Sequence, residues 1–254
     1  MNLLLILLYV GAYLCGGIPF GVVIARRKGI DLMKVGSGNI GATNVKRALG
    51  GKVALLVFFL DVAKGTAPCL IARLVVPEHH NYFCGLGGLV EAQSNQGIPA
   101  QMFWLAAGLI AIVGHCASPF LRFKGGKGVS TALGMVIGSA PLVAAAAFGL
   151  FLVILLATRY MSIASMVGVG SATVFGWVFP SQARELVPLY ALLTVFVVYR
   201  HRENVKRLMQ GTERRFNFGK ERSDDDPNGA EFGSGSDDFP NSNEHPASPD
   251  QSST

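Results

Sequence analysis

Charge is what this chain has least of. Only 15% of its 254 residues are Asp, Glu, Lys or Arg, against about 25% in an ordinary soluble domain. Half are hydrophobic and mean hydropathy is +0.41. Too little polar surface remains to cover a soluble body, which excludes a soluble enzyme or a nucleic-acid-binding domain. Cysteine is also scarce. Cys15, Cys69, Cys84 and Cys116 form no CxxC pair and no Cys/His ligand spacing, which argues against a disulfide scaffold and a metal site. Three of them lie in apolar blocks and read as small buried hydrophobes. The first block has no basic flank before it, and Arg26, Arg27 and Lys28 follow it. That order suits an uncleaved first span with an outward amino end rather than a signal peptide.

What is present is a set of apolar blocks, at roughly 2–25, 53–76, 100–118, 129–158, 162–180 and 186–199. Several are near the ~20 residues that cross a bilayer. Positive charge marks the cytoplasmic loops. Loop 26–52 holds seven basic residues against one acid, loop 119–128 holds Arg122, Lys124 and Lys127, and loop 77–99 holds no Lys or Arg. The first two are therefore expected inside and the third outside. With the carboxyl end inside, block 129–158 must leave the cytoplasm and return, turning at Ser139-Ala140-Pro141. Two full spans need about 40 residues, so at least one arm is short and must pack against protein or a polar cavity. The expected fold is all-α and polytopic, with about seven transmembrane helices, one or two of them partial. Its amino terminus is outside and its carboxyl terminus cytoplasmic.

Charge also divides the chain lengthwise. Residues 221–254 carry one basic and nine acidic residues, whereas residues 1–220 carry a net +14. The first 220 residues read as the transmembrane domain. The Ser-, Asp-, Pro- and Gly-rich remainder reads as a disordered acidic cytoplasmic tail.

The polar clusters fall on the expected cytoplasmic side. Gly36-Ser37-Gly38-Asn39-Ile40-Gly41-Ala42-Thr43-Asn44-Val45-Lys46-Arg47 joins three glycines to Ser, Asn and Thr donors and to a planar guanidinium suited to phosphate. A turn that merely caps the next helix needs one or two such residues, not a dozen. Phe123-Lys124-Gly125-Gly126-Lys127-Gly128-Val129-Ser130-Thr131 feeds an apolar helix. It is either a flexible positive loop or an anion site at a helix amino terminus, and two such clusters on one face favour the second. Gly128 after Lys127 breaks the Walker A spacing, so nucleotide hydrolysis is not implied. In Arg159-Tyr160-Met161-Ser162-Ile163-Ala164-Ser165, at least one of the two serines is expected to cap the following helix. His201 and Asn204, three apart, share a helix face. Asp61 and Lys64 read as an intrahelical pair that supports the site, and His115 as a packed histidine. The pattern His245-x4-Asp250 lies in the tail among prolines and is dismissed.

By residue type alone, these groups suggest a phosphate site beside apolar helices that hold an acyl chain. A carrier for anionic phosphates is the competing class, and an acyltransferase using acyl-CoA a third. SGNIGATNVKRALG, DVAKG, GHCASPFLRFKGGKGVSTALG, RYMSIAS and HRENVKRLMQG, in this order over about residues 5–216, resemble the bacterial membrane acyl-phosphate:glycerol-3-phosphate acyltransferases. The resemblance implies seven helices in the cell inner membrane and an active site facing the cytoplasm. The implied reaction moves an acyl group from acyl phosphate to the 1-hydroxyl of glycerol 3-phosphate, giving lysophosphatidic acid and inorganic phosphate. This is the first committed step of phospholipid synthesis. Its partners are those two substrates and membrane lipid, with no cofactor, metal or nucleic acid. By motif, Ser37, Arg47 and Lys127 match catalytic positions. Asn39, Thr43, Asn44, Gly125, Gly126, Ser165, His201 and Asn204 match substrate-binding ones. Departures from the family pattern occur at Cys116-Ala117-Ser118, in the longer loop 77–99 and in the added tail.

Overall fold

The computed structural model describes residues 3–76, 100–179 and 184–218 in full, and the backbone of 81–85, 88–91 and 98–99. The acidic segment 221–254, expected to be disordered, lies outside the described residues. Pro19 removes a backbone donor and ends the first helix, α1 (Leu3–Gly17), which bends by 41° into α2 (Phe20–Arg27). A polar loop leads to the short α3 (Ala42–Leu49), and Gly50 at φ +83 turns the chain into α4 (Gly51–Val75). At 1.5 Å per residue, the 25 residues of α4 reach across the ~30 Å hydrocarbon core.

Loop 77–99 carries a small antiparallel sheet, β1 (Asn81–Gly85), β2 (Gly88–Glu91) and β3 (Ile98–Pro99), with β1 central. Tyr82 pairs with both Glu91 and Ile98. This sheet is an appendage to an otherwise helical protein. Then follow α5 (Ala100–Cys116), α6 (Val129–Ser139), α7 (Pro141–Thr158), α8 (Met161–Val178), α9 (Val187–Arg200) and α10 (Arg202–Met209).

Counting α1 and α2 as one broken span, seven apolar helical segments are present among the described residues. The fold is that of an all-helical integral membrane protein. α4, α7 and α8 are each long and apolar enough to cross a membrane. The short members are α6 with 11 residues and α9 with 14. The 129–158 block divides at Ala140, with Pro141 as the first residue of the returning helix, where the sequence placed its turn. Large apolar side chains such as Leu74, Val153, Leu192 and Val195 remain exposed, as bilayer-facing positions must.

α6 is too short to span alone, and its place is set by backbone contact with α4. A Cβ on Gly65 would overlap the Thr131 carbonyl, and one on Gly134 would overlap that of Val62. Small residues at such crossings let helices approach closely where no water drives them together. Thr66 Oγ1 completes the contact by donating to the Gly134 carbonyl at 2.9 Å. The amino end of α6, and the glycine-rich loop before it, are thereby held against α4 and α5. A second core of Val22, Ala25, Leu32, Ile40, Val45 and Val57 pins the α2–α3 loop to the same end of the bundle.

Candidate active site

The α2–α3 loop is organised around Asn44. This side chain is 1% exposed, and its amide donates to the carbonyls of Leu32 (3.1 Å) and Val35 (3.0 Å). Its Oδ1 accepts the Ser37 backbone N–H at 2.9 Å. Gly36 and Gly38 sit at φ +60 and +64, the left-handed region that glycine enters without steric cost. Asn39 Oδ1 accepts the Gly41 N–H at 2.9 Å and starts α3. Asn44 and Asn39 therefore spend these atoms on the loop itself. The groups that the loop presents are the exposed Ser37 and the half-buried Thr43 and Arg47, the latter two sharing one face of α3.

The second loop leaves α5 at Cys116 and closes a tight hairpin in which Ser118 pairs with Lys124. Its turn forces Arg122 and Phe123 to φ +53 and +60, costly for residues with side chains. Ser118 Oγ donates to Gly17 O at 2.6 Å and Tyr13 Oη to Ala117 O at 2.8 Å, which fastens the hairpin to α1. The Gly126 amide donates to the His115 carbonyl at 3.1 Å. That amide, offered to a phosphate by the sequence reading, is thus already engaged. The Gly125 and Gly126 carbonyls accept from Arg200 Nη2 at 3.4 and 2.7 Å. Gly128, at φ +81, then starts α6, whose first turn has amides without acceptors in the helix itself.

Lys127 joins the pieces. Its Nζ donates to Asn204 Oδ1 at 2.6 Å, and Asn204 Nδ2 donates to Glu213 Oε1 at 2.7 Å. Arg207 Nε donates to the other oxygen of Glu213 at 2.8 Å. Burial is the main cause that lowers the Lys127 pKa to about 8; Glu213 opposes it, and Arg207, Arg47 and Arg200 push the same way. All three arginines therefore stand within electrostatic reach of one amine. Burial raises the Glu213 carboxyl, but the hydrogen bonds from Asn204 and Arg207 outweigh it and bring the net shift down. His201 Nδ1 donates to the Val197 carbonyl at 2.8 Å, since a carbonyl only accepts. Burial, and then Lys127, lower the His201 pKa to about 4, so the ring is neutral near pH 7 with an unprotonated Nε2.

Ser165 is buried and donates to Met161 O at 2.7 Å. The expected serine cap is not made: the amino cap of α8 is Tyr160, with no side-chain cap bond. Ser165 instead lines an apolar cavity with Ser130, Phe58, Val136, Phe148 and Phe151. The cavity begins at Val129 and Ser130, the residues directly after the Lys127 loop.

A family model described as glycerol-3-phosphate acyltransferase matches residues 6–211. The chain belongs to the glycerol-3-phosphate acyltransferase family. It is 41% identical over 213 residues to the enzyme of that name from Geotalea daltonii, covering 83% of this chain and 97% of that one. The Aquifex aeolicus enzyme is 43% identical over 209 residues, covering 82% and 97%. A crystal structure of PlsY (YgiH), an integral membrane glycerol 3-phosphate acyltransferase in its glycerol 3-phosphate form, superposes with a TM-score of 0.71 at 41% identity. It covers 84% of this chain and 96% of that one. The lysophosphatidic acid form gives 0.70 at 40% identity, covering 84% and 95%.

In this acyltransferase, the expected residues Lys127, Asn204, His201 and Arg47 come together, with Ser165 in the adjoining cavity. Asn44 and Gly126 shape the loops. Three further members escaped the sequence reading as site residues: Glu213, Arg207 and Arg200. The available signal for Glu213 was its rarity, as one of only seven acids in residues 1–220, set in a basic stretch after the last motif. Among the described residues, no three His, Cys, Asp or Glu side chains converge as metal ligands.

Proposed function

We propose that this acyltransferase draws its acyl group from acyl phosphate and forms lysophosphatidic acid, on the cytoplasmic side of the inner membrane. The observation that carries the reading is the run Lys127–Asn204–Glu213–Arg207, with Arg47 and Arg200 in electrostatic reach. Several cations around one carboxylate leave positive charge for two phosphate groups, and the apolar cavity at Ser130 and Ser165 is suited to an acyl chain. The positive-inside pattern supports an outward amino terminus and a cytoplasmic site.

Acyl phosphate is a mixed anhydride and needs no covalent enzyme intermediate. The 1-hydroxyl oxygen of glycerol 3-phosphate attacks the acyl carbonyl carbon. The carbon–oxygen bond to phosphate then breaks, inorganic phosphate leaves, and an ester remains. Lys127, Arg47 and the Ser37 loop stabilise charge that grows on the carbonyl and leaving oxygens, while holding both phosphates together supplies proximity. The hydroxyl proton passes to a substrate phosphate oxygen. His201, with its low pKa, is a weak base and serves better as a hydrogen-bonding support. In this reading the hydroxyls of the exposed Ser37 and half-buried Thr43 donate to phosphate oxygens. The deciding assay offers purified protein glycerol 3-phosphate with palmitoyl phosphate or with palmitoyl-CoA. Lysophosphatidic acid and equimolar phosphate should appear with the first donor only; product from palmitoyl-CoA would overturn the donor assignment.

A further inference from the structure

His115 is buried at the inner end of α5, and the mechanism above leaves it unused. On one side lies an ion pair inside α4, where Lys64 Nζ meets Asp61 Oδ1 at 2.7 Å. Lys64 also donates to the Ile18 carbonyl at 3.0 Å, at the break before Pro19. A buried pair fixed in this way is rigid, because parting it would strand a charge in an apolar surround. His115 Nδ1 stands 3.8 Å from Asp61 Oδ1, too far for a hydrogen bond, and finds no other partner among the described residues. On its other side the ring meets the glycine loop, since a Cβ on Gly126 would overlap Nε2 and one on Gly125 would overlap the His115 carbonyl. That carbonyl takes the Gly126 amide, while Arg200 takes the Gly126 carbonyl. Gly126 is held from three directions through its amide, its carbonyl and the ring against its Cα, and the next residue is Lys127.

We infer that His115, backed by the buried Asp61–Lys64 pair, is a positioning residue that sets the Gly125–Gly126 turn and so the place of Lys127 in the phosphate site. It touches no reacting atom. Its ring is a spacer between a rigid charge pair and a backbone that has no side chain to fill the gap. This inference rests on the reading of Lys127 as a phosphate-binding group.

The test is a double-mutant cycle on the full-length protein, comparing His115→Ala, Gly126→Ala and the double variant in kcat/KM with glycerol 3-phosphate and palmitoyl phosphate. Each single change should cost about tenfold or more, Gly126→Ala because its methyl collides with the ring. In the double variant the methyl enters space that the imidazole has left. Its loss should stay near that of His115→Ala alone, at least about fivefold less than the product of the single losses. Losses that simply multiply overturn the inference. The His115→Ala loss should also fall on KM for glycerol 3-phosphate, beyond whatever the cavity costs in Tm; a lower Tm with unchanged kinetic constants would make the residue merely structural and overturn the inference. If His115→Ala does not purify folded, His115→Asn takes its place in the same cycle. Lys127→Ala, assayed in parallel, separates the two ideas. Near-normal turnover there defeats the phosphate-site reading whatever the cycle shows. A dead Lys127→Ala beside multiplying losses defeats only the role of His115.

Discussion

Two titrations at the scale of single residues have opposite meanings here. Lys127 must be protonated to attract phosphate, and burial brings its pKa to about 8. The charged form is present below that pH and is lost as pH rises through it. kcat/KM should therefore fall about tenfold per unit above pH 8, and the residual activity of Lys127→Arg should lack that limb, because a guanidinium stays charged. His201, lowered to about 4, is neutral across the same range and contributes no limb. A flat profile to pH 10 in the unmodified enzyme would remove Lys127 from the rate. Glu213 bonds both Asn204 and Arg207. Charge-assisted bonds of this kind contribute about 1.5–3 kcal/mol, so Glu213→Gln should lose roughly ten- to a hundredfold in kcat/KM. Activity within twofold of the parent would show that Asn204 and Lys127 keep their places without the carboxylate.

Residue type made Lys127 and Arg47 legible as cations beside glycine-bearing turns, whereas His201 and Asn204 owed their site role to the resemblance of HRENVKRLMQG to the family motif and only their shared helix face to spacing. The same logic could not separate Thr43, half-exposed on α3, from Asn44, one residue later and buried among its own loop carbonyls. Nor could it show that the Gly126 amide is taken by His115. Those distinctions depend on which backbone group another helix presents. Glu213 was hidden for the same reason, since its partners lie nine and six residues away along a chain that turns between them.

Among the elements, α6 carries the most consequence for its length. Eleven residues cannot cross a bilayer, so its position depends on glycine contacts with α4 rather than on lipid. Gly134→Val would drive a side chain into the Val62 carbonyl. Overpacking of this kind costs about 1–3 kcal/mol, occasionally more, and should lower Tm and activity together. Lys127→Ala should remove activity and leave Tm in place. A Gly134→Val variant with the parent Tm would mean that α4 and α6 are less tightly joined than their backbones indicate. Charge parity along the chain and the Ser139-Ala140-Pro141 turn were enough to foresee the division of 129–158 at Ala140. The small sheet in 77–99 was not foreseen, because strands this short, bounded by glycine, give little alternation to read.

For the molecule as a whole, two expectations concern parts that helix packing does not decide. The family match ends at residue 211, and Phe216 N–H still bonds the Arg159 carbonyl at 2.5 Å. Removing residues 221–254 should accordingly leave kcat/KM within about twofold of the full chain; loss of turnover would make the tail part of the catalytic unit. For sidedness, single cysteines replacing the exposed Lys124 or Arg202 in a cysteine-free background should react with a membrane-impermeant maleimide only after the inner membrane is opened. Reaction in intact spheroplasts would invert the topology.

All of these scales meet at the Lys127 amine, where the glycine loop, α10 and the cations of α3 and α9 converge. The most direct measurement is lysophosphatidic acid formation from palmitoyl phosphate and glycerol 3-phosphate by purified Lys127→Ala, alongside its Tm. The account predicts a folded protein with no detectable turnover; a folded protein turning over at close to the parent rate would contradict it.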